Sequence, residues 1–75
     1  MSAAPRDVEI RDDFIRLGQL LKLADLAGTG ADAKVLLESG GVTVNGEVET
    51  RRGRKLVGDD VVETWSGVAR VVRRH

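Results

Sequence analysis

The sequence predicts an α+β fold, a two-helix pair packed on one face of a small antiparallel β-sheet. Between residues 17 and 38 apolar residues recur at helical spacing. From Val42 onward the period drops to two, the spacing of strands. Asn45-Gly46 stands between two such runs, and both residue types tolerate the positive φ of a tight hairpin. A helical half followed by a strand half buries both apolar faces by stacking helices on one sheet.

The first helix is carried by Leu17, Leu20, Leu21 and Ala24, which share one face. Asp12-Asp13 precede it, and Lys22 points away from the leucine stripe. Gly18 inside it costs about 1 kcal/mol relative to Ala, which implies a conformational or close-packing reason for it. The second helix starts at Thr29, a capping residue with Asp32 three positions on. Ala33, Leu36 and Leu37 face inward, Lys34 and Glu38 outward, and Gly40 suits the left-handed position that ends a helix. Val8-Glu9-Ile10 reads as a short edge strand. Val42-Thr43-Val44 and Glu47 to Thr50 form one hairpin; Val61 to Trp65 and Val68 to Val72 form another across Ser66-Gly67. Leu56-Val57 is an apolar anchor between them, and Gly58-Asp59 a turn. Eleven valines and a single phenylalanine imply a thin, β-branched core, in which Phe14 is placed; Trp65, at a strand end, is placed there in preference to an exposed stacking position. Residues 1–7 read as a flexible tail and residues 8–75 as the domain.

With 75 residues the chain makes one small domain, with a stability of about 4–11 kcal/mol. There is no room for separate cofactor and substrate domains. The absence of cysteine excludes a disulfide framework, a thiolate zinc site and a thiol nucleophile. No apolar run approaches the roughly 20 residues of a membrane span, and the first residues lack a secretory apolar stretch. A cytoplasmic protein is expected. The net charge of zero hides a split: residues 1–50 carry five basic and nine acidic residues, residues 51–75 seven and three. Such asymmetry favours an anionic partner.

Catalytic groups are scarce. The one histidine, His75, is the last residue, where rigid positioning is rare. Asp12-Asp13 and Asp59-Asp60 are adjacent in sequence, so their side chains diverge; helix-start and turn roles suit them better. Ser2, Ser39 and Ser66 have no base nearby. Gly28-Thr29-Gly30 resembles a phosphate-cradling loop but lacks the Walker lysine and the dinucleotide fingerprint, and a plain turn explains it. Arg51-Arg52-Gly53-Arg54-Lys55 is more informative. Arginine forks match phosphate oxygens, and a glycine-containing loop lets several of them reach one surface. Arg70, Arg73 and Arg74 are candidates to extend that patch. With two aromatics in the chain, phosphate and shape recognition is expected over base stacking.

The order of features is familiar. Phe14-Ile15-Arg16-Leu17-Gly18-Gln19-Leu20-Leu21-Lys22 is followed by Gly30-Ala31-Asp32-Ala33-Lys34. Then come Val42-Thr43-Val44-Asn45-Gly46-Glu47-Val48-Glu49-Thr50-Arg51 and Arg54-Lys55-Leu56-Val57. Over residues 8–72 this resembles the RNA-binding domain named after the small-subunit ribosomal protein S-four. It is most similar to short stand-alone bacterial proteins that consist of little else. The resemblance implies an αL fold and binding to structured RNA, often ribosomal RNA. Carried over to this sequence, it nominates Lys22, Thr29, Lys34, Arg51, Arg52, Arg54 and Lys55 as RNA-contacting, with Asn45 and Gly46 shaping the turn. Where the second helix of the broader family commonly opens with Ser-Arg and further arginines, this chain has Lys34 alone, which shifts weight onto the loop.

The expectation is therefore a non-catalytic monomer that binds structured RNA, ribosomal RNA or a ribosomal particle. No metal, cofactor, small-molecule substrate or membrane is expected. The alternative is a protein–protein adaptor, or an accessory module beside an RNA-modifying enzyme or a ribosome assembly factor. A ubiquitin-like sulfur carrier is excluded by the Arg73-Arg74-His75 ending and by the helix pair.

Overall fold

In the computed structural model, which describes residues 5–74, two short helices form as the periodicity predicts. Helix α1 (Leu17–Leu23) buries Leu17, Leu20 and Leu21, and α2 (Gly30–Glu38) buries Ala33 and Leu37. Thr29 caps α2: its hydroxyl accepts the Asp32 N–H at 3.1 Å. Gly40 takes φ +76° just past the helix end, the left-handed turn that glycine adopts without Cβ strain.

Strands β1 (Arg6–Ile10), β2 (Ile15–Arg16), β3 (Val42–Val44), β4 (Glu47–Val48), β5 (Lys55–Leu56), β6 (Val61–Thr64) and β7 (Gly67–Arg73) complete the chain. Five of them form one sheet in the order β1-β7-β6-β3-β4, and β2 pairs with β5 as a separate ladder. The β3–β4 turn has Asn45 at φ +52° and Gly46 at φ +86°, as the Asn-Gly signal requires. Asn45 also ties the turn to β6: its side chain donates to Asp60 Oδ1 at 3.0 Å and accepts from the Val61 N–H at 2.9 Å.

The α+β architecture holds, with one addition. The sheet is mixed, because β1 runs parallel to β7, Val8 beside Val71. The strand starts at Arg6, within the stretch read as a tail. Residues 1–4 of that tail, and His75, lie outside the described residues. The parallel pairing also explains the charge split. It brings the acidic N-terminal segment beside the basic C-terminal strand, and Asp7, Glu9 and Asp13 pair with Arg70, Arg74 and Arg73.

Between sheet and helices lies one core. Val8, Ile10, Val42, Val44, Val62, Ala69 and Val71 meet the helix leucines and Ala24, with Ile15 and Leu56 closing one end. The two aromatics depart from expectation. Trp65 is 87% exposed, because it sits in the β6–β7 turn, beyond the last inward position at Thr64. Phe14 is 36% exposed, because the cations of Arg16 and Lys55 lie over its ring at 5.1 and 4.7 Å in place of core side chains. Leu56 is fully buried as an anchor, whereas Val57 is half exposed.

Candidate nucleic-acid interface

The basic segment is a loop with both ends fixed. At one end β4 stops at Val48, and the Glu49 N–H donates to the Val42 carbonyl at 3.0 Å. At the other end Lys55 and Leu56 pair with Arg16 and Ile15. In between, the loop backbone covers the start of α1. The carbonyls of Arg54 and Arg52 accept the Leu17 and Gly18 N–H groups, each at 2.9 Å. Those are first-turn donors with no partner inside their own helix. Arg16 adds a bond from Nη1 to the Gly53 carbonyl at 2.8 Å. Gly18 accordingly lies against Arg52, where an added Cβ would stand 3.5 Å from the Arg52 Cβ and carbonyl oxygen. That is ordinary van der Waals contact, with room for an alanine.

Fixing the loop there brings three elements to one side of the molecule. A shallow groove of about 370 Å³ is lined by Arg16, Lys22, Gly30, Ala33, Arg52 and Gly53 among others. A neighbouring hollow of about 340 Å³ is lined by Lys34, Leu37, Glu38, Thr50 and Arg52. Arg52 borders both. Lys22 from α1, Lys34 from α2 and Arg52 from the loop thus surround a continuous exposed, basic surface. Its one ion pair among the described residues is Lys34–Glu38 at 3.9 Å, with both side chains about two-thirds exposed. Such an exposed pair is weak and leaves Lys34 available. Arg52 makes no ion pair among the described residues.

The other nominated residues are placed differently. Thr29 spends its hydroxyl on the helix cap. Lys55 lies over Phe14. Arg51 and Arg54 converge on Glu49, a residue the sequence reading did not single out. Glu49 is 6% exposed. One carboxylate oxygen accepts the backbone N–H groups of Thr50 and Arg51 and the Arg51 Nε; the other accepts Arg51 Nη2 and Arg54 Nη1. The Arg51 side chain, then its backbone N–H, then Arg54 hold the Glu49 carboxyl down at about 2, against an ordinary 4.5, although burial acts in the opposite direction. Arg51 is pushed up in return. The available signal was Glu49-Thr50-Arg51, an acid two residues before an arginine where a two-residue strand ends. Arg16, also missed as a site residue, was legible only as part of the helix-one motif. Arg70, Arg73 and Arg74 line neither hollow; they lie along β7 and just past its end, paired with Asp7, Asp13 and Glu9 of the N-terminal segment.

On the far side of α2 lies a different surface. Leu26, Val35, Leu36 and Trp65 line a hollow of about 430 Å³ whose one charged lining residue is Asp32. It offers no cation to a phosphate.

Among the described residues no cluster of three or more metal-ligating side chains occurs, and no helix is long and apolar enough to cross a membrane.

Residues 8–72 match the S4 domain. The chain belongs to the S4 domain family. A relative from Bacillus subtilis (strain 168), named "Probable ribosome maturation protein RlbA", is 50% identical over 56 residues, 75% of this chain and 79% of that one. The solution structure of YbcJ from E. coli, described as revealing an αL motif involved in RNA-binding, superposes with a TM-score of 0.71 at 31% identity. That match covers 93% of this chain and 90% of the other. The family inferred from the helix and Val-x-Val-Asn-Gly motifs is thus the right one. In this S4 domain the αL arrangement is the helix pair plus the sheet, with the loop from β4 to the separate strand β5 closing over α1.

Proposed function

We propose that this S4 domain is a non-catalytic binder of structured RNA, ribosomal RNA above all, and that it acts on ribosomal particles during their maturation. The observation that carries the reading is the convergence of Lys22, Lys34 and Arg52, from three separate elements, on one groove-lined surface. A rigid basic surface with no aromatic platform suits backbone phosphates held at fixed spacing by a folded RNA. The ribosome-maturation name of the one relative and the RNA-binding motif described for the other support the same partner class. A cytoplasmic location and a monomeric state go with this reading.

The test is fluorescence anisotropy with a labelled, folded ribosomal RNA fragment, titrated at several salt concentrations against duplex DNA of equal length. The K22E/K34E/R52E variant is the control. Arg54 is left unchanged there, since a glutamate at 54 would face Glu49. Micromolar or tighter binding that prefers the folded RNA and is lost in the variant, at an unchanged melting temperature, supports the reading. Equal, salt-sensitive binding to both nucleic acids defeats the preference for structured RNA.

The apolar hollow at Trp65 favours a second reading, a protein–protein adaptor. It predicts no RNA binding at low salt.

A further inference from the structure

The arginine loop contains its own counter-charge, and the geometry of that pairing is one-sided. Arg51 meets Glu49 through Nε and Nη2, at 3.3 and 3.1 Å, the side-on edge of its guanidinium. Its Nη1 makes no hydrogen bond among the described residues. The Arg51 side chain is 77% exposed while the Glu49 side chain is 8% exposed. A carboxylate whose sole task is to staple the loop has enough in the two backbone N–H groups and Arg54. It has no need to hold a third, solvent-facing side chain by a two-point contact.

Resting on the RNA-binding reading above, we propose that Glu49 is a positioning residue for that site: by clamping one edge of the Arg51 guanidinium it aims the opposite edge outward at an RNA backbone phosphate. Arginine suits such a relay because its planar fork presents donors on two edges at once. A free arginine must be ordered when RNA arrives, whereas one already held by a buried carboxylate has lost that freedom on folding. Glu49 is kept from swinging away by the backbone N–H groups of Thr50 and Arg51 and by Arg54, all on the same two oxygens. The clamp therefore adds direction to the loop at the expense of one unit of its positive charge.

That expense makes the proposal testable by sign. Glu49→Gln and Glu38→Gln each remove one negative charge from the RNA-facing region. If charge alone matters, both tighten RNA binding. If Glu49 positions Arg51, Glu38→Gln tightens binding and Glu49→Gln weakens it about three- to tenfold. The salt dependence of log K should then fall by the share of one phosphate contact, roughly 0.7–0.9. Arg51→Lys keeps the charge but cannot hold the two-point contact, and is expected to weaken binding to a similar extent. Combined with Glu49→Gln it should add little further loss, because both changes break the same clamp.

The probe is the folded ribosomal RNA fragment, followed by anisotropy, with thermal melts of each variant. Glu49→Gln binding as tightly as wild type or tighter, with the fold retained, overturns the proposal, as does full additivity in the double variant. If Glu49→Gln does not fold, Arg51→Lys decides alone: loss of affinity supports the proposal and wild-type affinity overturns it. Absence of binding by the wild-type protein instead removes the functional reading itself, and the proposal with it.

Discussion

Arg52→Gln separates binding from folding more cleanly than any other single change. The Arg52 side chain borders both halves of the basic surface. Its contribution to the fold runs through its backbone carbonyl, 2.9 Å from the Gly18 N–H, which glutamine retains. Lys22, Lys34 and Arg52 line this surface, and the contact proposed for the exposed Arg51 makes a fourth. Four phosphate contacts give a slope of log K against log salt of roughly −3, and removing one reduces it to roughly −2. A charge-assisted hydrogen bond is worth about 1.5–3 kcal/mol when formed in full, and screening at this exposed site leaves about 1.4 kcal/mol, or tenfold in Kd, at physiological salt. The difference should shrink toward zero in molar salt. The assay is a set of anisotropy titrations at five or six salt concentrations beside a thermal melt. An unchanged slope would refute the assignment of Arg52 as a phosphate contact. A melting temperature lowered by 10 °C would mean that the side chain holds the loop, contrary to the hydrogen bonds described.

Three further outcomes are expected. Leu56→Ala removes a fully buried side chain that pins the end of the basic loop to β2. It should cost about 2–5 kcal/mol, much of the total for a domain of this size, and lower the melting temperature by at least about 10 °C in calorimetry. Glu49 titrates at about 2 when folded and near 4.5 otherwise, so its stabilising effect is fully present above pH 4.5 and is lost as the pH falls through 2. Melts from pH 6 to pH 2 should show a smaller decline for Glu49→Gln than for wild type; equal declines would contradict the clamp. Trp65→Ala alters a side chain that is 87% exposed, so stability should move by less than about 0.5 kcal/mol and RNA affinity should not change. A large loss of stability would place Trp65 in the core after all.

What the sequence revealed follows the range of the interactions involved. Thr29, Gly40 and Asn45-Gly46 act on their immediate neighbours, and each adopts the conformation its chemistry predicts. The leucines of α1 and the alternating valines of β3 report a buried face within one turn or one residue pair. By contrast, the parallel pairing of β1 with β7 joins residues 63 apart, Val8 with Val71, and nothing local announces it. The acid–arginine pairs it creates were hidden for the same reason, so Arg70, Arg73 and Arg74 looked available in the sequence. Glu49 turns inward because the two-residue turn fixes Val44 opposite Glu47 and Thr43 opposite Val48, which sets Glu49 across from the buried Val42, its N–H on the Val42 carbonyl. A charged residue at an inward position is what hydrophobic patterning does not report. Hydrophobicity alone misplaced Phe14 and Trp65, since neither a turn position nor a pair of flanking cations enters that scale.

The central claim is that RNA docks on the surface shared by α1, α2 and the β4–β5 loop. Nitrogen–proton correlation spectra, recorded while the folded ribosomal RNA fragment is added, test it most directly. The account predicts the largest changes at Lys22, Gly30, Lys34, Arg51, Arg52 and Gly53, with the Trp65 indole signal unmoved. Changes concentrated at Trp65, Val35 and Leu26, with the loop signals unmoved, would contradict it.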